Sequence, residues 1–211
     1  MKKLMIVGLC ALASLLLFAC GGNPNGNDAP TETTVPLTTA FRFNIDKNDP
    51  CYHVIKEIED VDIQLLRYVY YVYYDIDGDG AEELLTGWGG CLERVYTIRN
   101  GVAVRQEQYF GDAESSIPPA VFRNGTIRSV ITREGEGPYS YYYYRFVDGN
   151  LELQIELVDD IHYSKYHRIG NGEVWPGTSI TKEEFDQLKQ EMEGDGHIVE
   201  LDWKPLAEYG R

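Results

Sequence analysis

Four two-residue turn signals, Asn100-Gly101, Asn124-Gly125, Asp148-Gly149 and Asn171-Gly172, punctuate this 211-residue chain from residue 92 onward. Each pair accepts the positive φ angles of the tight turns that join antiparallel strands, and each is flanked by β-branched or aromatic residues. Turns repeated at this interval restrict the chain to successive hairpins, an antiparallel β-meander. No strict internal repeat accompanies them, so a propeller or solenoid is not indicated. The third turn sets its own register: a two-residue turn places Phe146 opposite Leu151, Tyr144 opposite Leu153, Tyr142 opposite Ile155 and Arg145 opposite Glu152. One face is then uniformly apolar, while Tyr141 and Tyr143 share the polar face with Arg145, Glu152 and Glu156.

Two helices are expected beside the strands. Asp49-Pro50 supplies an N-cap and a proline at the first helical position, and Cys51, Val54, Ile55 and Ile58 follow at helical spacing, which predicts a short helix over 50–59. Near the C-terminus Thr181 and Glu184 form a capping box, Ile180 and Phe185 a hydrophobic staple, and Gly194 ends the pattern, which predicts a helix over 182–193. Leu65 to Tyr74 reads as a strand of aromatic and β-branched residues, and Ile198 to Trp203 as a closing strand. The expected fold class is α+β, a β-meander with a short N-terminal helix and a C-terminal helix packed on it.

Residues 1–19 carry Lys2 and Lys3, an apolar run from Leu4 to Ala19 and no acid, the layout of a secretory signal peptide. Leu17-Phe18-Ala19-Cys20, followed by Gly21-Gly22, resembles a bacterial lipobox, which implies cleavage before Cys20 and acylation of its thiol. Residues 20–40 are rich in Gly, Asn, Pro and Thr and read as a lipidated cysteine on a flexible tether, which leaves 41–211 as a single domain. The acyl chains would anchor the protein to the membrane without spanning it. The expected location is the outer face of the bacterial cytoplasmic membrane and the cell surface.

The chain holds 34 acidic residues against 19 Lys and Arg, a net −15, and loss of Lys2 and Lys3 on cleavage takes the mature chain to −17. Such a balance excludes nucleic acid as a partner, because phosphate recognition needs a basic face. Two cysteines remain after processing, Cys51 and Cys91. They form either a disulfide closing a loop of about forty residues or two separate buried thiols.

Asp75-Ile76-Asp77-Gly78-Asp79-Gly80-Ala81-Glu82-Glu83 puts five acids into nine positions with no base among them. Oxygen donors at alternating positions of a tight turn suit Ca²⁺, with Asp75, Asp77, Asp79, the Ala81 carbonyl and Glu83 as ligands. Mg²⁺, which demands a strict octahedron, fits less well, and a solvated turn without metal is the bland alternative. Thr86 occupies the position where an EF-hand needs its bidentate glutamate, and the flanks read as strands. The string YYDIDGDGAEELLTG, D-x-D-x-D-G-x-x-E before two leucines, resembles the single calcium loop of FG-GAP and VCBS-type repeats. It is also similar to uncharacterised secreted lipoproteins of gram-positive bacteria, a likeness shared by ITKEEFDQL and ELDWKPL. The resemblance implies a surface protein stapled by one structural Ca²⁺.

No G-x-S-x-G elbow, H-E-x-x-H pair, phosphate-binding loop or C-x-x-C pair occurs, and His53, His162, His167 and His197 lack suitably placed partners. No catalytic residue is singled out. The reading is a monomeric, non-catalytic binding module whose tyrosine-rich face, Tyr141 and Tyr143 foremost, would serve as a platform for a glycan or a surface protein. The alternatives are an extracytoplasmic hydrolase that uses a carboxylate pair on a glycan, and a purely structural envelope protein.

Overall fold

The computed structural model describes residues 45–59, 68–108, 110, 117–132, 138–161, 164–170 and 177–209. The expected signal peptide, Cys20 and the tether lie outside these residues. The described residues form mostly antiparallel β-structure with two helices. In chain order the elements are α1 (Tyr52–Glu59), β1 (Val69–Tyr74), β2 (Glu83–Trp88), β3 (Cys91–Arg99), β4 (Val102–Arg105), β5 (Ala120–Val121), β6 (Ile127–Thr132), β7 (Tyr139–Val147), β8 (Asn150–Asp160), β9 (Lys165–Gly170), β10 (Thr178–Ile180), α2 (Lys182–Glu193) and β11 (Lys204–Pro205). A short 3₁₀ turn, Leu206–Glu208, follows β11. Neither helix is long and apolar enough to cross a membrane.

The hairpins sort into two meanders where the turn signals suggest one. A five-stranded sheet has the order β11-β1-β2-β3-β4, and a six-stranded sheet the order β10-β9-β8-β7-β6-β5. The break falls between β4 and β5, where Pro118-Pro119 cannot donate to a ladder. Asn100-Gly101 and Asp148-Gly149 turn β3 into β4 and β7 into β8, with Asn100 and Asp148 at φ of 52° and 49°. Asn124-Gly125 sits in the β5–β6 turn, closed by Phe122 N–H to Thr126 O at 2.8 Å and Gly125 N–H to Phe122 O at 3.0 Å. Asn171-Gly172 lies outside the described residues, although β9 and β10 do pair antiparallel on either side of it.

The β7–β8 register follows the expectation for three pairs, Phe146↔Leu151, Arg145↔Glu152 and Tyr144↔Leu153, and then slips. A bulge leaves Gln154 without an opposite residue, so Tyr143 pairs with Ile155 and Tyr142 with Glu156 rather than with Ile155. One extra residue exchanges the faces of a strand. Leu151 accordingly joins the core shared with the first sheet, while Ile155 and Leu157 turn to the opposite face and pack with Tyr143 and Phe185 beneath α2.

Three clusters hold the molecule together. Cys51, Val54 and Ile55 of α1 pack on Leu84 and Tyr96 of the first sheet, with Leu206 and Tyr209 closing the cluster. Val72, Leu85, Leu92 and Val95 of the first sheet meet Val121, Ile127 and Leu151 of the second. Buried Gln106 reinforces this junction, donating to Thr97 Oγ1 at 3.0 Å and accepting from Leu151 N–H at 2.9 Å. The third cluster carries α2 on the second sheet through Phe185, whose ring lies 6.0 Å from Tyr141 and 5.1 Å from Tyr166.

The capping box and glycine stop expected for α2 are realised, while α1 starts at Tyr52, two residues after the expected Pro50. Thr181 Oγ1 accepts from Glu184 N–H at 3.1 Å and Glu184 Oε2 from Thr181 N–H at 2.8 Å, the reciprocal capping box, while Gly194 ends α2 at φ 65°. Asp49 Oδ1 accepts from Cys51 N–H at 2.8 Å at the start of α1. Strand β1 starts at Val69, and residues 65–67 of the expected strand lie outside the described residues. The expected closing strand over 198–203 reduces to one bridge, Ile198 with Phe122. Val199, Leu201 and Trp203 spend their side chains on the inter-sheet core, and ladder pairing begins only at Lys204, opposite Tyr71.

The β2–β3 hairpin depends on a close backbone approach. A register shift between Thr86 and Gly87 brings the Cys91 carbonyl oxygen to 1.8 Å from where a Cβ on residue 87 would stand. Gly87→Ala is therefore expected to lower unfolding stability by about 2–3 kcal/mol, as overpacking of a rigid site does, seen as a reduced urea midpoint. A midpoint unchanged within error would mean that the hairpin relaxes freely.

Candidate metal centre

Strands β1 and β2 pair in register from Val69↔Trp88 to Tyr74↔Glu83, so residues 75–82 form the loop that closes this hairpin. The expected strand-loop-strand setting is thus present. Buried Ile76 plugs the loop into the inter-sheet core. Asp75 organises the turn, its carboxylate accepting from Gly78 N–H at 2.8 Å and Gly80 N–H at 3.0 Å. Asp77 accepts from Asp79 N–H at 3.2 Å, and Asp79 from Ala81 N–H at 2.7 Å.

Carboxylate oxygens of Asp75, Asp77 and Glu83 all lie within 4.8 Å of one another, a group that can hold a metal ion. Asp79, also expected as a ligand, is exposed and stands outside that group, and Ala81, expected to offer its backbone carbonyl, is exposed as well. Glu83 differs from the others because it is only 5 % exposed. Its Oε2 accepts from Ile76 N–H at 3.0 Å. Burial pushes its carboxyl up to about 7, and the neighbouring charges of Asp77, Asp79 and Asp75 add to the rise against the lowering effect of the Ile76 hydrogen bond. A buried carboxylate beside three acids lacks the compensation that buried charges require. An all-oxygen donor set with excess negative charge matches a hard cation and excludes a soft one.

The other residues singled out from sequence are scattered. Cys51 and Cys91 are free thiols and not a disulfide. Cys51 Sγ lies 3.1 Å from Tyr73 Oη, whereas Cys91 stands opposite Trp88. Tyr73 pairs with Leu84, four residues along β2 from Trp88, which is roughly 13 Å of strand and well beyond the reach of a bridge. Tyr141 and Tyr143 do not form an outward platform. Tyr143 is fully buried, with its hydroxyl donating to Glu193 Oε1 at 2.8 Å, and Tyr141 is half-buried beneath Phe185 and the Lys189 ammonium. The face that reads as polar from alternation is the face α2 covers. Exposed aromatic surface lies instead on Tyr68 and Trp88, 42 % and 41 % exposed, whose rings stack with centroids 5.4 Å apart.

One part-buried network escapes any sequence signal. Tyr209 Oη donates to Asp49 Oδ1 at 3.0 Å and meets Tyr73 Oη at 2.6 Å, which in turn meets Cys51 Sγ. With one hydrogen per hydroxyl, the chain runs from the Cys51 thiol through both tyrosines to Asp49. Burial raises the Cys51 thiol above its ordinary range. His53 and His197 are exposed, His197 beside Asp195, and His162 lies outside the described residues. His167 Nδ1 is 3.4 Å from Ser179 Oγ. An open groove of about 410 Å³ between β9, β10 and α2 has Arg168 and Glu184 in its lining, and an apolar one of about 220 Å³ has Cys91 and Trp203. Glu184 is the one acid lining either groove among the described residues.

No protein-family model matches the chain, and no solved structure matches it significantly. Among curated proteins, Cartilage acidic protein 1 of Xenopus tropicalis is 36% identical over 87 residues. That similarity takes in 36% of this chain and 13% of the relative's length.

The raised Glu83 carboxyl predicts the pH response of the metal-free fold. Its folded value of about 7 exceeds the ordinary 4.5, so its contribution to stability is complete below pH 4.5 and is lost as pH rises through 7. In EDTA, the wild type should lose roughly 2–3 kcal/mol between these limits relative to Glu83→Gln, measured by urea melts at each pH. Parallel curves for the two proteins would show that Glu83 ionises in the fold as freely as in water.

Proposed function

We propose that this chain is a cell-surface lipoprotein anchored through acylated Cys20, whose α+β domain is a non-catalytic binding module stabilised by one structural Ca²⁺. The observation that carries the reading is the convergence of Asp75, Asp77 and Glu83 in the β1–β2 loop. Those three residues would hold the ion, and the ion's chemistry would be charge neutralisation, which offsets the cost of burying Glu83. Their hard oxygen character and the D-x-D-G-D-G spacing favour Ca²⁺ over Mg²⁺. The apolar run after Lys2 and Lys3 and the Leu17-Phe18-Ala19-Cys20 string support secretion and anchoring at the outer face of the cytoplasmic membrane. The name of the partial relative, an acidic protein, agrees with the chain's own acidity and adds nothing about a ligand.

The partner we propose is a neutral glycan or an uncharged patch of a surface protein, met at the stacked Tyr68–Trp88 pair. Exposed aromatic faces bind sugar rings and protein anchors alike, and net −15 disfavours anionic partners. Trp88→Ala should remove binding in a screen of cell-wall glycans and surface proteins while leaving the melting temperature near the wild-type value. Retained binding would place the partner elsewhere, and measurable glycan hydrolysis would favour the hydrolase.

Calcium is expected to raise the melting temperature reversibly. At about 100 times Kd the ion adds roughly 2.7 kcal/mol, or about 5–10 °C for a domain of this size. Asp77→Ala should abolish the rise, and EDTA should reverse it. A thermal shift indifferent to both Ca²⁺ and EDTA would overturn the metal assignment.

A further inference from the structure

The acid loop does not stand alone at the end of its hairpin. Gly125, at φ +79°, packs so tightly on it that a Cβ there would lie 2.8 Å from Ile76 O and 3.6 Å from Asp77 Cα. The tip of the β5–β6 hairpin therefore rests directly on the backbone that presents Asp77. On its other side the same tip holds α2. Asn124 Nδ2 donates to Met192 O at 2.9 Å, and Asn124 Oδ1 accepts from Thr126 N–H at 3.1 Å. A Cβ on Gly194 would meet Asn124 Nδ2 at 2.9 Å, so the helix stop is fitted against this amide.

The end of α2 needs such help. The last carbonyls of a helix have no partner within it, and cations near them are stabilising, yet α2 carries no basic residue in its last turn. The sheet supplies what the helix lacks. Arg145, fixed by Nε to Thr126 Oγ1 at 2.8 Å, directs its guanidinium to Glu191 O at 3.3 Å and Met192 O at 3.4 Å. Arg128 and Tyr143 both reach Glu193 Oε1 at 2.8 Å. Asn124, Gly125 and Thr126 thus stand in one unbroken line of contacts, with the acid loop at one end and the terminal turn of α2 at the other.

We infer that the Asn124–Gly125 hairpin links the acid loop to the C-terminal turn of α2, so that a change of order in the loop is felt at Glu191–Gly194. Where the loop holds Ca²⁺, as proposed above, occupancy tightens the helix end, and by reciprocity a docked helix end strengthens the ion's hold. What supports it is continuity of contact: Gly125 stands against the loop backbone at Ile76 and Asp77, and the neighbouring Asn124 bonds Met192 O, so movement of the loop bears on the tip that holds the helix end.

The test is amide exchange in the full chain, read at Gly194 and Gly196, whose N–H groups bond Gln190 O at 2.8 Å and Glu193 O at 3.1 Å. Saturating CaCl₂ should slow both amides by about tenfold or more relative to EDTA, the range of a coupling of ordinary size. Asn124→Ala should still bind calcium, with its affinity weakened by no more than that same factor, but lose most of the slowing, with Asn124→Asp, which retains the acceptor for Thr126 N–H, behaving the same way. Calcium binding with unchanged exchange in the wild type, or full slowing in both variants, would overturn the link and leave the metal site standing. Absence of calcium binding would instead defeat the metal reading. The link is then decided in EDTA by Asp75→Ala, which removes the acceptor for two loop N–H groups: faster exchange at Gly194 supports it, and unchanged exchange overturns it.

Discussion

The buried carboxylate of Glu83 is the constraint around which the first sheet is arranged. It is the first residue of β2, a strand with neighbours on both sides, and the two residues after it feed both cores of that sheet. Leu84 enters the cluster under α1, and Leu85 enters the junction with the second sheet. Because successive side chains of a strand point to opposite faces, the three positions are locked in phase. Leu84 and Leu85 hold the backbone of Glu83 in place, so only rotation of its own side chain could carry the carboxylate toward water. The fold thus holds a carboxyl in a place where a proton or a cation relieves its charge, and Asp75 and Asp77 of the acid loop bring the further oxygens that could hold a cation.

The second sheet solves a related problem at α2. Eight acids stand between residues 181 and 202 against Lys182 and Lys189, and helix ends of that composition lack their own C-terminal cations. Arg128 and Arg145 bring positive charge from strands β6 and β7, and Tyr143 gives up its exposure to donate to Glu193. Burial and the adjoining Glu193 charge hold the Tyr143 phenol well above its usual range, so it stays a donor at any physiological pH. A tyrosine that looks like a ligand platform is instead a strut between sheet and helix.

What was legible in the sequence was local. Asp148-Gly149 dictates its own turn, Thr181 and Glu184 cap α2 reciprocally, and the acid spacing points to the β1–β2 loop, because each of these depends on residues within a few positions of one another. The misread features each depend on something distant. The Gln154 bulge turns Ile155 and Leu157 toward α2, where they pack with Phe185, and no alternation pattern announces it. Tyr141 and Tyr143 look solvent-facing only while the helix that covers them is left out. Cys51 has its partner in Tyr73 and, through it, Tyr209, a residue far along the chain that no spacing rule connects to it.

The most direct measurement is a crystal structure of the calcium-loaded protein with the anomalous signal of the ion recorded. The account predicts a peak in the β1–β2 loop with oxygens of Asp75, Asp77 and Glu83 at about 2.3–2.6 Å. A loop with no peak at saturating calcium, and with Glu83 still bonded only to Ile76 N–H, would contradict it.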